Sequence, residues 1–146
     1  MEHFKIEHFR KENGGASFPY FESLSKSENE EIRLQVCEAL GFPPNLVGAL
    51  LATQIAQLQS NVEGVDAENE DFDLKALAKS VGISVQEKVF VNWHQFDKID
   101  KLSFENLATF FGDIWYPSSD DIDIFDLSFS WIISITHDGE IQIYQP

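Results

Sequence analysis

Apolar residues in the first half of the chain recur every three to four positions, which is typical of helices that bury one face. The clearest predicted helix is 28–40, where Ser27 and Glu30 have the spacing of a capping box. A glycine and two prolines follow this segment and would prevent its continuation. A mostly apolar stretch predicts a second helix, which Asn45 would cap and which would extend to Gln59.

A third, short helix is predicted at 74–80, with Asp73 as its cap, after an acidic and solvated loop at 61–73. Residues 1–25 fit neither a helical nor a strand period, and a pair of glycines interrupts them. Only a short helix is expected among these first residues.

In the second half of the chain, apolar and polar residues alternate with the period of two that is typical of strands. Residues 85–93 form the first predicted strand, and Ser103 would cap a short helix at 104–111. Three more strands are predicted, one around Ile122 and Ile124, one at 129–136 and one at 141–144. The Asp138-Gly139 pair predicts a tight hairpin turn between the last two.

Helices that precede a set of strands predict an α+β fold in one domain, residues 1–146, with a helical half at about 27–81 and a sheet half at about 84–144. The N-terminal helices are expected to pack on one face of a mostly antiparallel C-terminal sheet. The alternation in the strands favours a second face in contact with water. The single cysteine, Cys37, cannot form an internal disulfide, which favours a reducing, cytoplasmic setting.

The charge of the chain limits the classes of partner that it could bind. The chain has 25 acidic and 10 basic residues, with a net charge of −15, which argues against nucleic acid and against anionic membrane surfaces. No apolar run is long enough to span a bilayer, and the first residues do not have the pattern of a secretory signal. After Lys101 the chain has eight acidic residues and no basic one, so we expect wet carboxylates on the sheet and a basic protein as partner.

Candidate catalytic and metal sites are weak. The spacing of Asp120, Asp121, Asp123 and Asp126 does not fit a cation-binding loop, so no metal is expected. His137 has no identifiable nucleophile to activate. Because phosphate, dinucleotide and zinc motifs are absent as well, the sequence predicts no catalytic residue and no cofactor.

Trp115 and Tyr116 precede Pro117 and should form a stiff, amphipathic turn. Such aromatic residues either close the end of a core or anchor a protein interface. Together with the nearby carboxylates they give the predicted partner-binding set: Trp115, Tyr116, Asp120, Asp121, Asp123 and Asp126.

The segment that begins Phe-Phe-Gly-Asp-Ile-Trp-Tyr-Pro-Ser-Ser-Asp-Asp at Phe110 and continues through Phe125, Asp126, Trp131 and His137-Asp-Gly resembles a C-terminal pattern of small uncharacterised bacterial proteins. Some of those proteins are of the immunity type found in polymorphic toxin systems. The resemblance implies a small cytoplasmic α+β protein that binds another protein, with no catalytic residues to transfer. It does not extend to the N-terminal helices.

Three functions remain open at this point. The first is a non-enzymatic, cytoplasmic protein-binding protein, of the kind that inhibits a basic toxin. The alternative is a small enzyme or ligand-binding domain with a cleft between sheet and helices, which would use His137 or Asp126. The third is a homo-oligomer in which Trp115 and Tyr116 meet their symmetry mates.

Overall fold

The computed structural model describes residues 1–146 and contains six helices and seven strands. The helices are α1 (His3–Glu12), α2 (Lys26–Leu40), α3 (Gly48–Leu58), α4 (Leu74–Ser80), α5 (Phe104–Thr109) and α6 (Phe111–Ile114). The strands are β1 (Phe21–Ser23), β2 (Ser60–Asn61), β3 (Lys88–Asn92), β4 (Ile99–Ser103), β5 (Ile122–Phe125), β6 (Ile132–Ile135) and β7 (Ile141–Tyr144). None of the helices combines the length and the apolar character that crossing a membrane requires.

The seven strands join one sheet in the order β1-β4-β3-β5-β6-β7-β2, and every pair of neighbours is antiparallel. The predicted α+β class with an antiparallel sheet is therefore confirmed. The pairs β3–β4, β5–β6 and β6–β7 are consecutive in the chain, as is usual for antiparallel neighbours. The short strands β1 and β2 come from the first half of the chain and cover the two edges of the sheet.

Both faces of the sheet are covered by helices. In β3, Val89 and Val91 belong to an apolar cluster with α4, α5 and α6, whereas Phe90 belongs to a second cluster with α2 and α3. The helices α2 and α3 thus pack on one face of the sheet, as expected. The prediction that the second face is exposed to solvent is wrong. The strands alternate between two buried sets of side chains, so that all four residues of β6 are buried.

Helix α2 begins two residues earlier than the sequence suggested. Ser25 is its N-cap, and its hydroxyl accepts from the Glu28 backbone N–H while the Glu28 side chain accepts from the Ser25 N–H. The capping box predicted at Ser27 and Glu30 has the same spacing but lies inside the helix. The earlier start leaves Glu30 free to accept from the Arg33 guanidinium. The left-handed end of α2 forms at Gly41, with a φ of 75°.

Of the other three predicted helix caps, two are confirmed and one is wrong. Asp73 caps α4 and Ser103 caps α5, each through a side-chain oxygen, as predicted. The cap predicted at Asn45 is wrong, because α3 begins later, at Gly48, and has no side-chain cap. The helix predicted at 104–111 is divided into α5 and α6.

The sequence did not firmly predict α1 and β4, because each of them places a charged residue inside the protein. The buried residues of α1 are Lys5 and Phe9, so its inward face does not look apolar in the sequence. In β4, Asp100 is buried on the same face as Leu102, so the sequence of this strand does not alternate between apolar and polar residues. The protein is thus built around several charged groups that lie in the interior.

Candidate functional site

Asp120, one of the predicted partner-binding residues, lies inside the protein. Its carboxylate accepts hydrogen bonds from Lys5 Nζ at 2.5 Å and from the Tyr116 backbone N–H at 2.7 Å, and its carbonyl accepts from Trp115 Nε1 at 2.9 Å. Lys5 is 0% exposed, and its ammonium lies 4.1 Å from the centre of the Trp93 ring. These contacts connect α1 to the chain before β5, so Asp120 has a structural role.

Asp126 is also fully buried. One carboxylate oxygen accepts from the Gln86 backbone N–H at 3.0 Å and from Trp131 Nε1 at 3.1 Å. The other oxygen accepts from the backbone N–H and the hydroxyl of Ser128. Asp126 therefore organises the turn after β5 and holds the segment before β3 against it.

The two aromatic residues of the predicted set differ in exposure. Trp115 is buried in the core and stacks on Phe111, with ring centres 5.5 Å apart and an interplanar angle of 18°. Tyr116 is partly buried, with its ring edge-to-face against Phe4 at 5.6 Å. Burial raises the pKa of the Tyr116 hydroxyl, which has no hydrogen-bond partner in the protein. Trp115 thus closes the core.

Asp121 is the exposed member of the four aspartates, with 68% of its side chain accessible. It accepts hydrogen bonds from the backbone N–H of His137 at 2.7 Å and from His137 Nδ1 at 2.9 Å, and this carboxylate raises the pKa of His137. The expectation that the carboxylates stay in water is wrong for Asp120 and Asp126. The predicted residues therefore cannot act together as one exposed surface.

Asp123 belongs to a different feature, a row of polar side chains that crosses the sheet on the face covered by α2 and α3. Asn92 pairs with Asp123, Asp123 with Ser134, and Ser134 with Gln142. Residues that are paired in this way across neighbouring strands project from the same face of the sheet. The polar row thus spans four adjacent strands, β3, β5, β6 and β7.

A continuous chain of hydrogen bonds links this row to α3. The Phe96 backbone N–H donates to Asn92 Oδ1 at 2.9 Å, so the Asn92 amide N–H group must face Asp123, to which it donates at 2.9 Å. Ser134 donates to the other Asp123 oxygen at 2.5 Å, and its Oγ accepts from Gln59 Nε2 at 2.8 Å. A backbone donor at one end and a carboxylate acceptor in the middle thus fix the orientation of both amides.

The polar row forms the floor of a cleft with a volume of about 480 Å³. Helix α3 provides an apolar wall, with Ala52, Ile55 and Ala56, and its C-cap residue, Gln59, also lines the cleft. The rim is formed by the end of β3 and the turn that follows it, Trp93, His94 and Gln95, and by Asp121 and Thr136 across from them. The cleft therefore has one apolar side and one strongly polar side.

The electrostatics of the cleft are dominated by carboxylates. Asp121 and Asp123 line it, and no Lys or Arg does. Asp123 is partly buried, and loss of solvation raises its pKa, although the hydrogen bonds from Ser134 and Asn92 lower it and Asp121 raises it slightly further. Asp123 is thus a carboxylate whose charge is only partly compensated by the protein.

The rim of the cleft includes a backbone conformation that side chains other than glycine rarely adopt. Gln95 and Phe96 have φ angles of 49° and 64° in the tight turn between β3 and β4, which the Asp97 N–H closes by donating to the His94 carbonyl. Two consecutive residues of this kind are energetically costly. The bond from the Phe96 N–H to Asn92 and the burial of the Phe96 ring hold the turn in this form.

The arrangement in the cleft suits binding better than covalent chemistry. The Ser134 hydroxyl donates to Asp123, and no histidine forms a hydrogen bond with either residue, so there is no nucleophile with an activating base. No group of three or more His, Cys, Asp or Glu residues is placed to hold a metal ion. What the cleft offers is hydrogen bonding and negative charge.

Three residues of the polar row, Asn92, Ser134 and Gln142, together with Gln59, were missed in the sequence. A signal for them does exist: each of β5, β6 and β7 carries one polar residue between isoleucines, in Ile-Asp123-Ile, Ile-Ser134-Ile and Ile-Gln142-Ile. The register that aligns these residues could not be derived without the strand order.

The comparisons with known proteins give no match: no family model fits the sequence, and no curated protein and no solved structure is similar to the chain. The likeness to immunity-type proteins stays a prediction.

Proposed function

We propose that the protein is a non-catalytic ligand-binding domain that holds a small polar molecule in the cleft between α3 and the sheet. The observation that carries this proposal is the hydrogen-bonded polar row, which lies next to an apolar cluster on the same face of the sheet. In β3, β5 and β6 the neighbouring positions in that cluster are Phe90, Phe125 and Ile132. Of the alternatives drawn from the sequence, this corresponds to the ligand-binding domain.

The size and composition of the cleft support this function. A volume of about 480 Å³ lies within the range of roughly 300–1,000 Å³ that is usual for small-molecule sites. Such sites combine an apolar wall, here Ala52, Ile55 and Ala56, with a few convergent polar groups.

The energetics support it as well. Polar groups that are withdrawn from water cost stability unless they are fully paired, and an apolar residue at position 123 or 134 would extend the neighbouring core. The turn at Gln95 and Phe96 adds backbone strain at the rim of the same cleft. Two costs at one place are a physical reason to assign a function to it.

A ligand screen with a matched pair of variants tests this function. A library of small polar compounds is screened by amide chemical-shift changes with the wild type, with Ala52→Phe, which fills the cleft, and with Ala49→Phe. Ala49 is exposed on the same helix and does not line the cleft. We expect binding to wild type and Ala49→Phe but not to Ala52→Phe. No binding, or binding that Ala52→Phe does not affect, would overturn the proposal.

A second function, inhibition of a basic protein, is favoured by a separate observation. The loop 61–73 carries six carboxylates and no base, and all but its Val62, Ala67 and Phe72 are exposed. An anionic surface of this kind accelerates encounter with a basic partner. The buried Cys37 thiol, which has no disulfide partner, fits a reducing cell interior.

Affinity capture from a bacterial lysate at low and high salt tests this second function. The double variant Glu68→Lys/Glu70→Lys serves as the comparison, since both residues are exposed in the loop. A basic protein retained by the wild type and lost with the variant would support inhibition. Retention by both proteins, or by neither, would contradict it.

A further inference from the structure

We propose that the ligand of the cleft is a small molecule with an ammonium or guanidinium group, and that Asp123 is the residue that binds this group. This inference rests on the proposed function and names the chemical class of its ligand. Three observations support it: the unused hydrogen-bonding capacity of the cleft, its charge, and the way in which the chain binds one of its own ammonium groups.

Most of the unused hydrogen-bonding capacity around Asp123 belongs to acceptor atoms that receive no hydrogen bond within the protein. Each carboxylate oxygen of Asp123 accepts one hydrogen bond, whereas a carboxylate offers about four acceptor positions in all. The amides of Gln59 and Gln142 use their N–H groups within the protein, and their carbonyl oxygens accept nothing. Several acceptors on residues that line one cleft match a group with several donors, such as an ammonium or a guanidinium.

The charge of the cleft selects among the ligands that could use these acceptors. The amide N–H groups have second hydrogens, so a neutral polar molecule could also form hydrogen bonds there. Only a cation, however, compensates the charge of Asp123, which its two protein donors leave partly exposed. Since no Lys or Arg lines the cleft, the protein supplies no cation of its own at this place.

The chain already binds an ammonium group with the same chemistry next to the cleft. Lys5 Nζ lies between the Asp120 carboxylate, at 2.5 Å, and the face of Trp93, at 4.1 Å from the ring centre. Trp93 is also one of the residues that line the cleft, so the two places are adjacent. Around Lys5 the carboxylate provides the main attraction, and the indole face adds a cation–π contact.

The test compares four small probes of similar size: butylguanidinium, butylammonium, the neutral N-butylurea and the anionic butyrate. Dissociation constants are measured by amide chemical-shift titration for the wild type, Asp123→Asn, Ala52→Phe and Ala49→Phe. We expect the two cations to bind the wild type at least about tenfold more tightly than N-butylurea, because hydrogen bonds to a charged group are the stronger kind. Butyrate should be the weakest probe.

The variants separate the inference from the function on which it rests. Asp123→Asn should remove the preference for the cations, and Ala52→Phe should abolish binding of every probe, whereas Ala49→Phe should bind as the wild type does. If N-butylurea binds the wild type as tightly as the cations and Ala52→Phe blocks it, the cationic class is refuted while the ligand-binding function stands. If no probe causes Ala52-dependent shifts and the library screen is also negative, both are refuted.

The pH dependence gives a readout that a merely structural role would not move. The affinity for butylguanidinium should fall as the pH is lowered and Asp123 takes up a proton, and this loss should be absent in Asp123→Asn. The other titratable groups that line the cleft are Asp121, just before β5, and His94, in the turn after β3, with His137 bound to Asp121, while α3 contributes none. A pH profile that is the same in the wild type and in Asp123→Asn would overturn the inference.

Discussion

Ser134 donates a 2.5 Å hydrogen bond to Asp123 across the paired strands β5 and β6. The carboxylate that receives it has one further donor, the Asn92 amide, at 2.9 Å. Loss of solvation outweighs these two bonds and raises the pKa of Asp123, so the ionised residue opposes folding. We interpret this cost as the consequence of a binding role for Asp123.

The substitution Asp123→Asn should stabilise the free protein at neutral pH. The new amide can accept from Asn92 and donate to Ser134 Oγ, and the Ser134 hydroxyl can turn its hydrogen toward the cleft that it lines, so no donor is sealed from water. Replacing a poorly solvated ionic group by a neutral one often stabilises a protein by about 1 kcal/mol or more, so we expect a gain of this order in the free energy of unfolding. Urea denaturation at pH 7 measures it, with Asp138→Asn as an exposed control that keeps a favourable turn pair.

The pH dependence of that gain has a defined sign. Because the pKa of Asp123 is higher in the folded state than its ordinary value of 3.8, its favourable contribution is fully present below that value. The contribution is lost as the pH rises through the folded-state pKa. The stability difference between Asp123→Asn and the wild type should therefore grow over this interval and level off above it. A difference that is constant with pH would contradict the assignment.

Asp126→Asn should have the opposite effect on stability. Both oxygens of Asp126 accept from fixed N–H groups, of Ser128 on one side and of Gln86 and Trp131 on the other. Whichever way the asparagine is turned, its amide N–H group faces another N–H donor. We expect a loss of about 2–3 kcal/mol, the cost of unsatisfied buried groups. Urea denaturation measures it, and stability equal to that of the wild type would refute the structural role of Asp126.

Lys5→Met should destabilise the protein strongly, because it leaves the Asp120 carboxylate buried without its cation. Breaking a buried ion pair by removing one partner costs about 3–5 kcal/mol. The double variant Lys5→Met/Asp120→Asn should recover most of this loss, because no charge then remains buried there. A double-mutant cycle in urea tests the coupling. Additive effects of the two substitutions would show that the pair does not act as a unit.

Gln95→Gly should stabilise the turn between β3 and β4. Glycine adopts the φ of 49° found at this position without the steric cost that other residues carry there. We expect a gain of about 1 kcal/mol in the free energy of unfolding, measured by thermal denaturation. If Gln95→Gly is instead less stable, the contacts of the Gln95 side chain at the rim outweigh the strain.

Much of the architecture could be predicted from the sequence. Asp73 and Ser103 cap helices as predicted, because a cap depends on a few adjacent residues. The start of α2 was misplaced by two residues because Ser25 and Ser27 both have a glutamate three positions later. Local patterns thus located the helices but could not choose between two equivalent caps.

The candidate site was harder to predict from the sequence than the helices, for a different reason. Asp120, Asp123 and Asp126 look alike in the sequence, but each has its own set of donors, which come from distant segments. Whether an aspartate is wet, paired or exposed to a cleft depends on strand order, which periodicity does not reveal. The polar floor of the cleft depends on the strand register, which pairs Asp123 with Ser134.

The most direct test of a functional Asp123 is thermal unfolding of the wild type and of Asp123→Asn, each with and without butylguanidinium. If Asp123 is retained for binding at the expense of stability, the variant has the higher melting temperature without ligand, and the cation raises the melting temperature of the wild type only. The account is contradicted if the variant is the less stable protein, or if the cation shifts both proteins equally.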